Sequence, residues 1–142
     1  IESEEQAVKI ISEIKKKYWD ARHNCYAYIL GDNNEVQRFS DDGEPSGTAG
    51  KPILEVITGN ECSNCLCVVT RYFGGVLLGT GGLIRAYTNA AKEALDNSRT
   101  GTLTDGTHAF IDADYNYVGK IQHICAQNEI TIVDTICRKC VI

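Results

Sequence analysis

VVTRYFGGVLLGTGGLIRAYTNAAKEALDN, residues 68–97, passes from one hydrophobic periodicity to another within thirty positions. Leu66, Cys67, Val68, Val69 and Thr70 form a short, nearly unbroken apolar run of strand-forming residues, which reads as a buried strand. Paired glycines follow at Gly74-Gly75 and again across Gly79-Thr80-Gly81-Gly82. Leu83, Ile84, Tyr87, Ala91, Ala94 and Leu95 then recur at helical spacing, so a helix with one apolar face is expected to end near Asn97. A buried strand joined by a glycine loop to a long amphipathic helix requires a sheet with a helix lying on it, which sets the class as α+β.

The flanking sequence extends that unit in both directions. Upstream, Ser3 and Gln6 make a capping-box pattern ahead of Ala7, Ile10, Ile11, Ile14 and Tyr18, giving a helix over about 4–18. His23 to Leu30 and Val36 to Phe39 read as strands joined by turn residues Gly31-Asp32-Asn33-Asn34, hence a hairpin. A polar loop covers 40–47, and a short helix is expected over 51–57 because Pro52 is tolerated in a first helical turn. Downstream, the polar connector 96–105 marks a domain boundary, after which the order strand (108–115), helix (118–127), strand (129–135) is expected. Val118, Ile121, Ile124 and Cys125 supply the apolar stripe of that last helix. The chain therefore divides into a domain over 1–105 and a βαβ piece over 106–142. Such a piece cannot cover both faces of its sheet and reads as part of a larger domain.

Bulk properties narrow the function. Of 142 residues, 43% are hydrophobic and 23% charged, the balance of a folded globular chain. No apolar run reaches the roughly 20 residues of a membrane-spanning helix, and the opening Ile1-Glu2-Ser3-Glu4-Glu5 is unlike a secretory signal, so a cytoplasmic protein with no membrane partner is expected. The formal charge of −5 argues against a protein that coats nucleic acid by phosphate neutralisation alone. Methionine is absent, so both ends are treated as open. Seven cysteines, an odd number, suit reduced thiols better than a disulfide framework. Cys62/Cys65 and Cys137/Cys140 have zinc-ligand spacing, but the interval between the pairs is too long for a zinc ribbon, and Cys65 and Cys67 fall in the buried-strand pattern. No metal ligand, cofactor or catalytic residue is assigned.

Chemistry concentrates between Arg38 and Tyr87. Asp41, Asp42 and Glu44 crowd one turn, RFSDDGEPSGTAGKP over 38–52, and the commoner fate of such acids beside glycine and proline is a solvated turn or an internal ion pair. Gly50-Lys51 is not a nucleotide phosphate loop, since prolines stand at 45 and 52 where that motif needs glycine and a hydroxyl residue. Gly79-Thr80-Gly81-Gly82 is not a dinucleotide fingerprint, since Ile84 replaces the third glycine. What it does offer is a helix amino end with free backbone N–H groups, a place for an anion. Arg85, in the first turn, and Arg71, before the loop, both call for negative charge. Asp41, Asp42 or Glu44 folding over would meet that need; a phosphate of RNA or of a small ligand is the alternative. His23 and Cys25 share a strand face, a spacing that fits a half-buried sheet position better than a nucleophile and its base.

HNCYAY (23–28), SDDGEPSGTAGKP (40–52) and VVTRYFGGVLLGTGGLIRAY (68–87) together resemble the signature blocks of the IMPACT/YigZ family over most of residues 1–105. The resemblance implies an N-terminal domain with the fold of a ribosomal protein's second domain, a mixed sheet packed by helices, followed by a partial ferredoxin-like domain. With no further domain ahead of the first helix, the chain looks like the bacterial members. It also implies a non-enzymatic role in translational control, with RNA, the ribosome or a translation-related protein as partner and no cofactor. By the same resemblance, binding falls to Asp41, Asp42, Glu44, Lys51, Arg71 and Arg85, flanked by Gly74, Gly75, Gly79, Gly81 and Gly82. Leu77 stands where many members carry lysine, which removes a cation from the loop. The alternative is a hydrolase or metal-dependent enzyme built on the Asp41/Asp42/Glu44 loop.

Overall fold

Ser3 accepts a hydrogen bond at Oγ from the Gln6 amide (3.2 Å), and Gln6 Oε1 reaches back to the Glu2 N–H (2.6 Å), so the capping pattern does start the first helix. In this computed structural model, which describes residues 1–102 and 106–137, that helix is α1 (Glu4–Lys17). It leads into strands β1 (His23–Leu30) and β2 (Val36–Ser40), then helix α2 (Gly50–Gly59), strand β3 (Cys65–Arg71) and helix α3 (Gly79–Asp96). A 3-10 turn (Tyr115–Tyr117) and helix α4 (Val118–Gln127) follow. The chain forms two compact units, Ile1–Gly101 and Thr102–Ile142.

In the first unit the strand order is β2-β1-β3, and β1 is antiparallel to both neighbours, with Tyr26 opposite Ser40 on one side and Val68 on the other. The sheet is therefore antiparallel rather than mixed: β2 and β3 run the same way, but β1 lies between them. Alternation along β1 sends Cys25, Ala27 and Ile29 to one face, where Ile53, Val56 and Ile57 of α2 and Leu83, Tyr87 and Ala91 of α3 bury them. Tyr28 and Leu30 point to the other face and meet Ala7 and Ile11 of α1. With both faces covered, β1 is the central, deeply buried strand, which explains its nearly unbroken apolar sequence. Gly50 lets the start of α2 press on the end of β2: an added Cβ would sit 2.8 Å from the Ser40 backbone.

The second unit departs from expectation. The helix forms as the apolar stripe predicted, but neither 108–115 nor 129–135 is a strand. Glu129 adopts φ +56 and the Ile130 N–H turns back to the Cys125 carbonyl at 2.9 Å, so the residues that should open the last strand instead close α4. Tyr115–Tyr117 is likewise drawn into the turn preceding α4. An alternating apolar pattern is compatible with a strand but creates one only when a neighbour supplies the hydrogen bonds, and among the described residues none does. Phe110 stays 96% exposed.

Candidate functional site

The acidic loop is folded inward, and each of its carboxylates has a separate use. Asp41 sits at the amino end of α2: Oδ1 accepts from the Ala49 and Gly50 amides (3.0 and 2.8 Å) and Oδ2 from the Gly47 amide (2.9 Å). Ala49 itself has no side chain to cap the helix, so an acid eight residues earlier does so. Asp42, held at φ +45, ties the loop to β1 and α1: Oδ2 accepts from the Asn24 amide (2.6 Å), Oδ1 from Lys15 Nζ (2.5 Å), and its carbonyl from His23 Nδ1 (2.8 Å). Because a carbonyl only accepts, His23 carries its proton on Nδ1.

Glu44 is the buried charge. Its side chain is 4% exposed, and Oε1 accepts from Arg71 Nη1 at 2.5 Å and from the Tyr87 hydroxyl at 2.9 Å, with His23 Nε2 at 3.8 Å. Tyr87 also accepts from the Cys25 thiol at 3.3 Å, and Cys25 lies 3.0 Å from the Asp41 carbonyl. Burial first, and then the Cys25 and Glu44 contacts, raise the Tyr87 phenol far above its ordinary range. Burial likewise pushes the Cys25 thiol up to about 11, against its hydrogen bond to Tyr87, which lowers it. Both groups stay protonated near neutrality, so Cys25 is a structural donor and not a thiolate nucleophile.

Beside the Arg71–Glu44 pair opens a cavity of about 420 Å³, whose lining includes Arg22, His23, Phe73, Leu78, Gly79 and Thr80. Arg22 is exposed and stacks over Phe73, its guanidinium carbon 5.4 Å from the ring centroid, while Arg71 lies 5.8 Å from the same ring. At the cavity's far edge α3 begins with Gly79 at φ +66, no side-chain cap from Leu78 and no acid in its first turn, leaving its first N–H groups without side-chain acceptors.

Of the residues assigned from sequence, the cavity brings together Glu44, Arg71 and Gly79. Asp41 and Asp42 answer backbone amides and Lys15, not the arginines, because the loop turns toward α2 and β1. Lys51 points along α2, 3.9 Å from Glu55. Arg85 lies on the exposed side of α3, and Gly74, Gly75, Gly81 and Gly82 do not line the cavity. Arg22 is not among the residues assigned from sequence, and His23 is read there as a half-buried sheet position; the Arg22 amide bonds the Arg71 carbonyl (3.1 Å) and His23 pairs with Arg71 across the sheet, a long-range register with no local sequence signal. Cys62, Cys65 and Cys67 are all partly buried in the first unit, burial and the nearby thiols raise Cys65 to about 11, Cys137 is exposed, and Cys140 lies outside the described residues. Among the described residues no three His, Cys, Asp or Glu side chains gather as metal ligands would.

Residues 1–95 match the Impact N-terminal domain. The chain belongs to that family. It is similar to the IMPACT family member YvyE of Bacillus subtilis, 45% identical over 123 residues, covering 87% of this chain and 57% of the relative. It is also 37% identical to the IMPACT family member YigZ of Escherichia coli over 133 residues, covering 92% of this chain and 65% of that one. The chain thus spans less than two thirds of these Impact relatives. A crystal structure of a hypothetical protein superposes with a TM-score of 0.70 at 35% identity, over 96% of this chain and 68% of the other. No helix among the described residues is long and apolar enough to cross a membrane.

Proposed function

We propose that this Impact-domain chain is a non-enzymatic binding module associated with translation, and that it takes RNA by a phosphate at the cavity between Arg22, Arg71 and the start of α3. The observation that carries this reading is the convergence there of Arg22, whose guanidinium has no ion-pair partner among the described residues, with an uncapped helix amino end. Translational control is what the family resemblance implies, and the cytoplasm is its compartment. The partner is RNA, free or in a ribosome, in preference to a protein. On this reading the first unit takes the ribosomal second-domain fold, supported by its antiparallel sheet with helices on both faces. The domains run over 1–105 and 106–142, supported by the division into units after Gly101. The second is a partial ferredoxin-like domain.

The hydrolase alternative needs a carboxylate free to move a proton. Asp41 has both oxygens bound to amides, Asp42 is held by Lys15 and the Asn24 amide, and Glu44 is buried against Arg71. That occupancy weighs for the binding module.

The test is a titration of the full chain with single-stranded and structured RNA at low and moderate salt, with Arg22→Ala as the variant. Arg22 is preferable to Arg71, whose removal leaves Glu44 buried without its counter-ion. Binding that weakens with salt and by about tenfold in Arg22→Ala is expected, the loss of one charge-assisted contact. No binding of any RNA at low salt refutes the proposal.

A further inference from the structure

Resting on the RNA reading above, we infer that the cavity holds one unpaired, phosphate-bearing nucleotide and does not track a stretch of backbone. The charge count at the site sets the limit. Glu44 already matches Arg71 at 2.5 Å, so of the two guanidinium groups only Arg22 has no ion-pair partner among the described residues. One uncompensated cation on a chain of net charge −5 holds a single phosphate, whereas a groove that follows a strand needs a row of them.

The rest of the cavity is shaped for a base. Its volume of about 420 Å³ falls in the range of small-ligand sites, roughly 300–1,000 Å³. Phe73, Leu77, Leu78 and Leu83 line it, and Leu77 is 87% exposed, an apolar side chain with nothing over it in the first unit. A base stacked in a duplex has no free face to lay on that wall; an unpaired base has one. Leu77 gives apolar contact for a ring and adds no charge.

The source of the nucleotide, a strand of RNA or a free nucleoside monophosphate, shares this chemistry and is separated by competition. The full chain is titrated with a 3′-labelled oligoadenylate, a short RNA duplex of the same length, AMP and inorganic phosphate. The single strand is expected to bind about tenfold more tightly than the duplex, with a slope of log affinity against log salt near −0.7, one phosphate. Arg22→Ala and Leu77→Ala should each weaken it severalfold, and Lys92→Ala, in the groove between α2 and α3, should not. AMP competing as well as the oligomer identifies the free nucleotide as sufficient; a tighter oligomer identifies the strand. Equal affinity for duplex and single strand, a slope of several phosphates, or inorganic phosphate competing as well as AMP overturns the one-nucleotide site while leaving RNA association standing. Absence of binding to every probe overturns both.

Discussion

Replacing Asp41 by asparagine separates a structural carboxylate from a functional one, because the side chain keeps its shape and loses only its charge and one acceptor. In the native loop Oδ1 accepts from Ala49 and Gly50 and Oδ2 from Gly47. Asparagine can leave its oxygen on the two α2 amides, but its NH2 group then faces the Gly47 N–H, donor against donor. One charge-assisted hydrogen bond goes, worth about 1.5–3 kcal/mol. The negative charge at the start of a ten-residue helix goes with it, about 0.5 kcal/mol. The sum, about 2–3.5 kcal/mol, corresponds to a fall in melting temperature of roughly 8–28 °C for a unit of this size, at about 4–8 °C per kcal/mol. Thermal unfolding followed by circular dichroism measures it, with urea unfolding to check that the m-value is unchanged. A melting temperature within about 2 °C of the parent would refute the reasoning: Asp41 would then contribute nothing to the fold, and its carboxylate would be open to assignment as an acid or a ligand.

Two further outcomes follow from the packing around the same loop. Gly50→Ala should destabilise by about 1–3 kcal/mol even though alanine is the better helix former, because the new Cβ meets the Ser40 backbone. Gly59→Ala, at the open end of α2 with nothing within 4 Å, should be neutral or slightly stabilising in the same melt, and equal effects at the two sites would contradict the close approach. Cys25, with its thiol raised from 9.0 to about 11, favours the folded state while it is neutral, so its contribution is full below about pH 9 and is lost as pH rises through about 11. Alkylation of the native chain at pH 8 should label exposed Cys137 well before buried Cys25, and the loss of stability between pH 9 and 11 should be smaller in Cys25→Ala.

The six elements of the first unit were readable in the sequence because each carries its own periodicity: α1 and α3 show one apolar stripe, and β1 and β3 show the short apolar runs of covered strands. The expected strands of the second unit looked equally regular but depended on a ladder partner, which no local pattern can supply. The same divide runs through the site. That Asp41, Asp42 and Glu44 needed partners could be read from their crowding; which partners they found could not, because the answer depends on where the loop 40–50 lies relative to α2, α1 and β3. The sequence reading expected acids to answer arginines, and this holds for Glu44 alone. The loop's conformation explains the difference. Asp42 and Gly43 both take positive φ, at 45 and 89, which turns the chain sharply between Asp41 and Glu44 and sends neighbouring carboxylates in different directions. Asp41 caps α2 and Asp42 clasps β1 to α1, so Glu44 alone reaches across to β3. Arg71 is thereby neutralised, and on the proposed reading a ligand's charge is met by Arg22, which the β1–β3 register places beside it.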